Sequence, residues 1–456
     1  MPNRKKPSIT VHGGKKEIGG NKILVEDGDT RIWLDFGMSY SLRGKFFEEF
    51  VQPRSANGLG DFLEMGLIPD LPGLYREDLL RHQGRKAEEP AFDAVLISHA
   101  HLDHCAYVSF LHEGIPIYMG ETSKLILQAI KDANQKRNIE TEVLAFKERP
   151  ITRGAEEIER DVKTFRTGDR LKIGDFNVWP VHVDHSVPGA YGFVLEGPNI
   201  RLAYTGDLRL HGRHSEMTQE FIEFAKEKEV DILLTEGTRV KEQESRQEEE
   251  VERDVLDWII NHNGLAFVDF NFKDVDRLRT FLRVAEETDR TFVIPFKEAV
   301  LINYLSKDKK LNIPSLDNFV IFKPKRKTGT FDDKDYRKIE REYYNEYESW
   351  TYKDVKENAN KTMMYLSYFA FPNLVDIKPE NAIFVHSLSE PFNEEMEISY
   401  DRMMSWLDHF GIKYLHSHCS GHASAPELRE VIKGINAKKI IPIHTEHPRI
   451  LTRLAR

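Results

Sequence analysis

Ser98-His99-Ala100-His101-Leu102-Asp103-His104 follows directly on the apolar run Ala94-Val95-Leu96-Ile97. Three imidazoles and a carboxylate at the end of a buried strand have little structural use. Closely spaced histidines repel one another when protonated and cost desolvation when buried without partners. A divalent cation removes both objections, because neutral imidazole nitrogen and carboxylate oxygen are its ligands. In an extended segment His99 and His101 project to the same side. Asp103 and His104 follow where the chain must turn, so they can serve a second position close by. The stretch reads as the core of a two-metal hydrolase site. A surface histidine patch or a lone structural zinc is the alternative, but structural zinc favours cysteine.

The 456 residues exceed what one simple core accommodates, so two large units are expected. A hydrophobic content of 40% with 31% charged residues is that of an ordinary globular protein. The sequence has no apolar run long enough to span a membrane. Its start, Met1-Pro2-Asn3-Arg4-Lys5-Lys6, lacks the apolar stretch of a secretory signal. Two cysteines, Cys105 and Cys419, provide no disulfide framework, and a cytoplasmic protein is expected. A net charge of −10 argues against coating nucleic acid non-specifically, though not against a local basic channel. Lys323, Lys325, Arg326 and Lys327, with Lys334, Arg337 and Lys338, form one basic cluster, either such a channel or a solvated loop.

Outward from the histidine stretch, the same texture recurs. Ser8–Val11 and Lys22–Glu26 read as strands around a glycine-rich turn, and Gly28-Asp29 makes a hairpin into Thr30–Asp35. Asp35 ends that strand, where it either orients a metal ligand from behind or caps the turn. Residues 41–90 read as a long connection with short helical pieces, 105–113 as helical, and 123–135 as a helix. His182 and His185 follow the strand 176–181, with His185 the inward one. Ile200–Tyr204 leads to Asp207, Ile232–Thr235 to Glu236, and Lys439–Ile443 to His444. Strand ends that repeatedly carry acids or histidines converge on one rim. Between Glu236 and about residue 416, strands and helices alternate as in a parallel sheet with crossover helices. Residues 332–360 read as an exposed helix within it. Ser424 is an expected helix N-cap, with Glu427 at capping-box spacing.

This ordered set resembles the metallo-β-lactamase fold, and within it the β-CASP nucleases. The likeness covers nearly the whole chain. It rests on Asp35, His99-x-His101-x-Asp103-His104, His185, Asp207 and His444, with Glu236 and Ser420-Gly421-His422-Ala423 indicating the β-CASP branch. It implies an α/β protein: an αββα sandwich from 1–236 and 417–456, with an α/β domain inserted over 237–416. It also implies two zinc ions, with manganese as a possible substitute. His99, His101 and His185 would hold one, Asp103, His104 and His444 the other, and Asp207 would bridge them. Two metals about 3.5–4 Å apart activate water and stabilise both the attacking and leaving oxygens in phosphodiester cleavage. Asp103, Glu236 and His422 would take part in the chemistry, His422 paired with Glu236 protonating the leaving alkoxide.

Ribonuclease J is the closer likeness within the branch. His185-Ser186-Val187-Pro188, the opening Gly13-Gly14 with Glu17-Ile18-Gly19-Gly20-Asn21, and Ser389-Glu390-Pro391 resemble its segments. Thr-Glu-Gly-Thr around Glu236 and Thr-Glu-His after His444 depart from its pattern, as does the lack of an extra C-terminal domain. The resemblance implies a ribonuclease degrading single-stranded RNA from its 5′ end during processing or decay, and a homodimer. An endoribonuclease of the polyadenylation-factor type, or a DNA nuclease of the branch, is the alternative. Ser387, Ser389, His418 and Ser424 are candidate donors to a 5′-phosphate.

Overall fold

The computed structural model describes residues 6–48, 50–134, 138–390 and 394–454. The Met1–Lys5 part of the expected non-signal start, the end of the 123–135 helix and Pro391 of the Ser-Glu-Pro segment lie outside the described residues. The chain forms two units, one running up to Ser245 and resuming at Gly421, the other Arg246–Ser420. The sequence reading set these borders at 236/237 and 416/417. Residues just after Glu236 stay with the first unit because they are tied into it. Val240 is buried in its core, and Arg239 Nη1 donates to His422 O at 3.0 Å.

In the first unit, one sheet runs Ser8–Gly13, Lys22–Asp27, Thr30–Phe36, Ala94–Ile97, Ile117–Gly120, Val162–Phe165. Its first three strands are antiparallel, and the rest follow in parallel. Asp27 pairs with Thr30 across the expected Gly28-Asp29 hairpin. The second sheet runs Lys439–Pro442, Ile232–Thr235, Arg201–Tyr204, Tyr191–Glu196, Phe176–His182, Leu171–Ile173. Ile23, Leu34 and Leu96 of the first sheet pack against Phe193, Leu202 and Leu234 of the second in one core. The other face of the second sheet is covered by Phe221 and Ala225 of helix Ser215–Glu227 and by Leu428, Val431 and Ile435 of helix Ala425–Ile435. Helix Glu121–Ala133 buries Ile126, Leu127 and Ala129. This is a layered α/β sandwich, each apolar face covered by another element.

The second unit carries a seven-stranded, wholly parallel sheet. Its order is Ser349–Trp350, Phe319–Phe322, Thr291–Pro295, Thr362–Tyr365, Ala266–Phe270, Ile383–Ser387, Lys413–His416. The expected alternation is present as helices Val275–Glu287 and Phe296–Leu305 between strands. The single exposed helix expected over 332–360 is instead two, Lys338–Glu346 and Tyr352–Glu357, with a short strand between them. Tyr343, Tyr344 and Glu340 are buried, Glu340 between Arg326 and Arg337. That pairing also consumes much of the basic cluster: Lys325 bonds Asp376, and Lys327 donates to Lys334 O. Part of the cluster is thus paired with carboxylates of its own unit.

Candidate metal centre

Every residue of the candidate centre lies in the first unit, most of them just beyond strand ends of its two sheets. His99 follows Ala94–Ile97, and the short helix Leu102–Cys105 then turns Asp103 and His104 away from His101. His185, Asp207, Glu236 and His444 each follow a strand of the second sheet, while His422 precedes helix Ala425–Ile435. Parallel and antiparallel strands thus deliver polar ends to one rim, while their bodies form the core. His99, His104, His185, Asp207, Glu236 and His444 are buried, and His101, Asp103 and His422 are half-buried.

Two donor groups share one carboxylate. In the first, His101 Nδ1 stands 3.1 Å from His99 Nε2 and 3.2 Å from His185 Nε2. Asp207 Oδ2 is 3.6 Å from His99 Nε2 and 3.9 Å from His185 Nε2. In the second, Asp103 Oδ2 is 3.2 Å from His444 Nε2 and 3.6 Å from His104 Nε2. The same Asp207 Oδ2 is 3.0 Å from His104 Nε2 and 3.5 Å from His444 Nε2. Ligands about 2.1 Å from a tetrahedral zinc stand roughly 3.4 Å from one another, so the spacing suits the ion. Asp207 Oδ1 is buried with no hydrogen-bond partner, a cost that a cation at this place would remove. The donor set, five imidazoles with two carboxylates, fits a pair of divalent ions.

Outer partners fix the rings. His185 Nδ1 donates to Gly421 O at 2.6 Å, and His104 Nδ1 donates to Asp35 Oδ2 at 2.7 Å. His444 Nδ1 lies 2.8 Å from Thr238 Oγ1, and His99 Nδ1 lies 3.0 Å from Ser98 Oγ. Such bonds set the tautomer, leaving the other ring nitrogen to face a metal. Asp35 and His444 adopt left-handed φ of 55° and 49°, a conformation costing about 1–3 kcal/mol that persists where surroundings enforce it. Asp35 also accepts from Ser98 N at 2.7 Å, from Ser98 Oγ at 2.8 Å and from Tyr204 OH.

Burial and the neighbouring imidazoles of His104 and His101 push His99 far below its ordinary pKa. Burial and His422 lower His185 to about 3. Burial would lower His104 too, but Asp207, Asp103 and Asp35 hold it well above its usual value. His422 Nδ1 is 3.1 Å from both oxygens of Glu236. Against burial, Glu236 with Asp207 and Asp103 keeps His422 protonated up to about 9.

The candidate phosphate donors are distributed differently. Ser387, Ser389 and His418 belong to the second unit and Ser424 to the first. Ser387 Oγ accepts from Arg277 and donates to Ser417 O at 2.5 Å. His418 Nδ1 donates to Ser387 O at 3.1 Å, and Ser389 is exposed. Ser424 caps its helix in a capping box with Glu427, as the spacing suggested. His182 bonds Thr167 Oγ1 at 2.8 Å and stacks on Tyr191, away from the donor groups. Asn21, Lys22, Tyr204 and Thr238 escaped the sequence reading. All but Thr238 are buried polar groups behind the rim, and none carries a local pattern that betrays such a role.

Residues 68–265 match the beta-lactamase superfamily domain, and residues 412–455 match the Zn-dependent metallo-hydrolase RNA specificity domain. The chain is similar to ribonuclease J of Mycoplasma genitalium, with 22% identity over 97% of this chain and 68% of that protein. It is likewise similar to ribonuclease J of Pyrococcus abyssi, with 23% identity over 98% of this chain and 91% of that one. A crystal structure of a protein of unknown function from Enterococcus faecalis V583 shares the fold at a TM-score of 0.72 and 23% identity, covering 98% of this chain and 96% of that one. No helix among the described residues is long and apolar enough to cross a membrane. The chain thus carries a beta-lactamase superfamily domain and a Zn-dependent metallo-hydrolase RNA specificity domain, and it is ribonuclease J-like over nearly its whole length.

Proposed function

We propose that this protein hydrolyses phosphodiester bonds of single-stranded RNA with two zinc ions, working from the 5′ end in the manner of ribonuclease J. The observation that carries the reading is Asp207 Oδ2, which stands 3.0–3.9 Å from the imidazoles of His104, His444, His99 and His185. One carboxylate thereby serves two adjoining donor groups. His99, His101 and His185 would hold one ion, and Asp103, His104 and His444 the other. A bound pair supplies an activated water and charge stabilisation for in-line displacement at phosphorus. The protein's own residues do the rest. Asp35, Thr238 and Gly421 O orient the ligand rings, and Glu236 holds His422 by its Nδ1 edge so that the imidazolium can protonate the leaving oxygen. A 5′-phosphate would be met by Ser389, while His418 braces the neighbouring Ser387 carbonyl through its Nδ1–H. Ser387 and Ser424 support their loops through Ser417 and Glu427. A homodimer and a cytoplasmic location complete the reading.

The test is cleavage of 3′-labelled RNA carrying a 5′-monophosphate or a 5′-hydroxyl by metal-stripped protein given back zinc or manganese. Loss of single nucleotides from the monophosphorylated RNA is expected, with DNA of the same sequence spared. Equal internal cutting of both RNAs would overturn the exonuclease mode, and cutting of DNA alone would overturn the RNA substrate. Light scattering and cell fractionation test the dimer and the location.

A further inference from the structure

Lys22 opens the strand Lys22–Asp27 and is 0% exposed. A buried ammonium costs several kcal/mol unless its protons find acceptors. No carboxylate lies within ion-pairing distance of it among the described residues. Instead, Nζ donates to Gly20 O at 2.9 Å and Gly37 O at 2.8 Å, and lies 5.4 Å from the centroid of the Tyr107 ring. Burial, opposed only by the charge of Glu17, lowers its pKa to about 8. Such a residue is expensive to keep, and leucine or valine would suit this strand better.

Both carbonyls belong to loops that wall in Asp103. Gly19 has φ +75°, and a Cβ there would lie 2.5 Å from Asp103 Oδ2. A Cβ on Gly37 would lie 1.7 Å from Asp103 O. Asn21 N donates to Asp103 O at 3.1 Å, Met38 N to Leu102 O at 3.0 Å, and Gly37 N to Asn21 O at 2.9 Å. One glycine loop therefore presses on the carboxylate of Asp103 and the other on its carbonyl. Lys22 is bonded to both.

We infer that Lys22 is a positioning residue for the Asp103, His104 and His444 half of the metal centre: its ammonium ties the Gly19-Gly20 and Gly37 loops together and so holds the Asp103 carboxylate in place for an ion. The inference rests on the two-ion reading above. Lys22→Met keeps the apolar stem and removes the ammonium, leaving two buried carbonyls without a donor. The half of the centre held by His99, His101 and His185 touches neither loop through these bonds, so the effect is selective.

Metal-stripped wild type and Lys22→Met, first compared by thermal melting, are titrated with zinc against a chromophoric chelator. The two binding steps are assigned with His444→Ala, which disables the second position. Wild type takes up two ions. In Lys22→Met the step lost in His444→Ala weakens by about 10–100-fold, the usual effect of removing an outer partner, while the other step is unchanged. Excess metal then restores kcat with KM for RNA unaltered. Two ions bound at wild-type affinity overturn the inference and leave the two-ion reading intact. Equal weakening of both steps marks a merely structural role and overturns it too. A wild type that takes up no pair of ions overturns the reading and the inference with it. Should Lys22→Met fail to fold, the Nζ resonance of Lys22 in labelled wild type decides: it shifts as the second position fills, and a resonance indifferent to that step overturns the inference.

Discussion

The donor group of His99, His101 and His185 is made of imidazoles alone, whereas that of Asp103, His104 and His444 includes a carboxylate. Burial drives His99 and His185 toward the neutral form, and their outer partners, Ser98 Oγ and Gly421 O, are uncharged. His104 is held up by three carboxylates, with Asp35 directly behind it. At His99 and His185 burial favours the neutral ring and its free lone pair. The second depends on carboxylates placed by residues distant in sequence; His444 and Asp103, 3.2 Å apart, are separated by 341 positions. A position assembled this way is more exposed to changes behind it. The two halves should therefore respond unequally to substitutions that touch neither ion.

Asp207 is the exception, because it belongs to both halves. Asp207→Ala is expected to abolish the second ion, weaken the first, and lower kcat by roughly 10³-fold or more, since each ion contributes several kcal/mol of charge stabilisation. Metal analysis beside single-turnover cleavage checks this, and retention of two ions would break the shared-ligand picture. His422→Ala follows in size. Its loss of proton donation is expected to lower kcat by about 10²–10⁴-fold with two ions still bound. A loss of metal in that variant would make His422 a ligand instead. Asp35→Asn comes next and separates the halves. It keeps the shape but removes the charge behind His104, and should weaken the second position by about 10–100-fold with little change at the first. Equal weakening of both would erase the contrast.

The sandwich and the rim were legible in sequence because strands ending in acids or histidines are conspicuous against apolar runs: Ile97 before His99, Tyr204 before Asp207, Thr235 before Glu236. What lay behind the rim was not. Lys22 runs directly into Ile23, Leu24 and Val25, which read as core, and nothing local shows that its Nζ finds Gly20 and Gly37. Tyr204 reads as a core aromatic, yet its hydroxyl joins Asn21 to Asp35, partners far apart in the chain. In the second unit, a segment rich in charge and tyrosine reads as exposed helix, but the Glu340 carboxylate is buried beside Arg326 and Arg337, and the strand Ser349–Trp350 divides the segment into two helices. Periodicity reports which face a residue occupies. It is silent on which distant partner makes a buried charge tolerable.

Ser98 gives the finest test, because its neutral hydroxyl faces both halves. Its Oγ donates to Asp35 Oδ2 at 2.8 Å and lies 3.0 Å from His99 Nδ1 and 3.3 Å from His104 Nδ1. Asp35 retains the Ser98 backbone amide at 2.7 Å and the Tyr204 hydroxyl, so Ser98→Ala removes one bond of several at the charged half. At the all-imidazole half, the hydroxyl is the partner observed for His99 Nδ1, and its loss frees that ring's tautomer. A single net hydrogen bond is worth about 1 kcal/mol, which limits the effect to roughly fivefold in affinity. The expected order is thus reversed from Asp35→Asn: Ser98→Ala should weaken the first position more than the second, read by the same chelator competition. A larger effect at the second position would mean that the hydroxyl matters chiefly by holding Asp35, and that both halves are governed from the charged side.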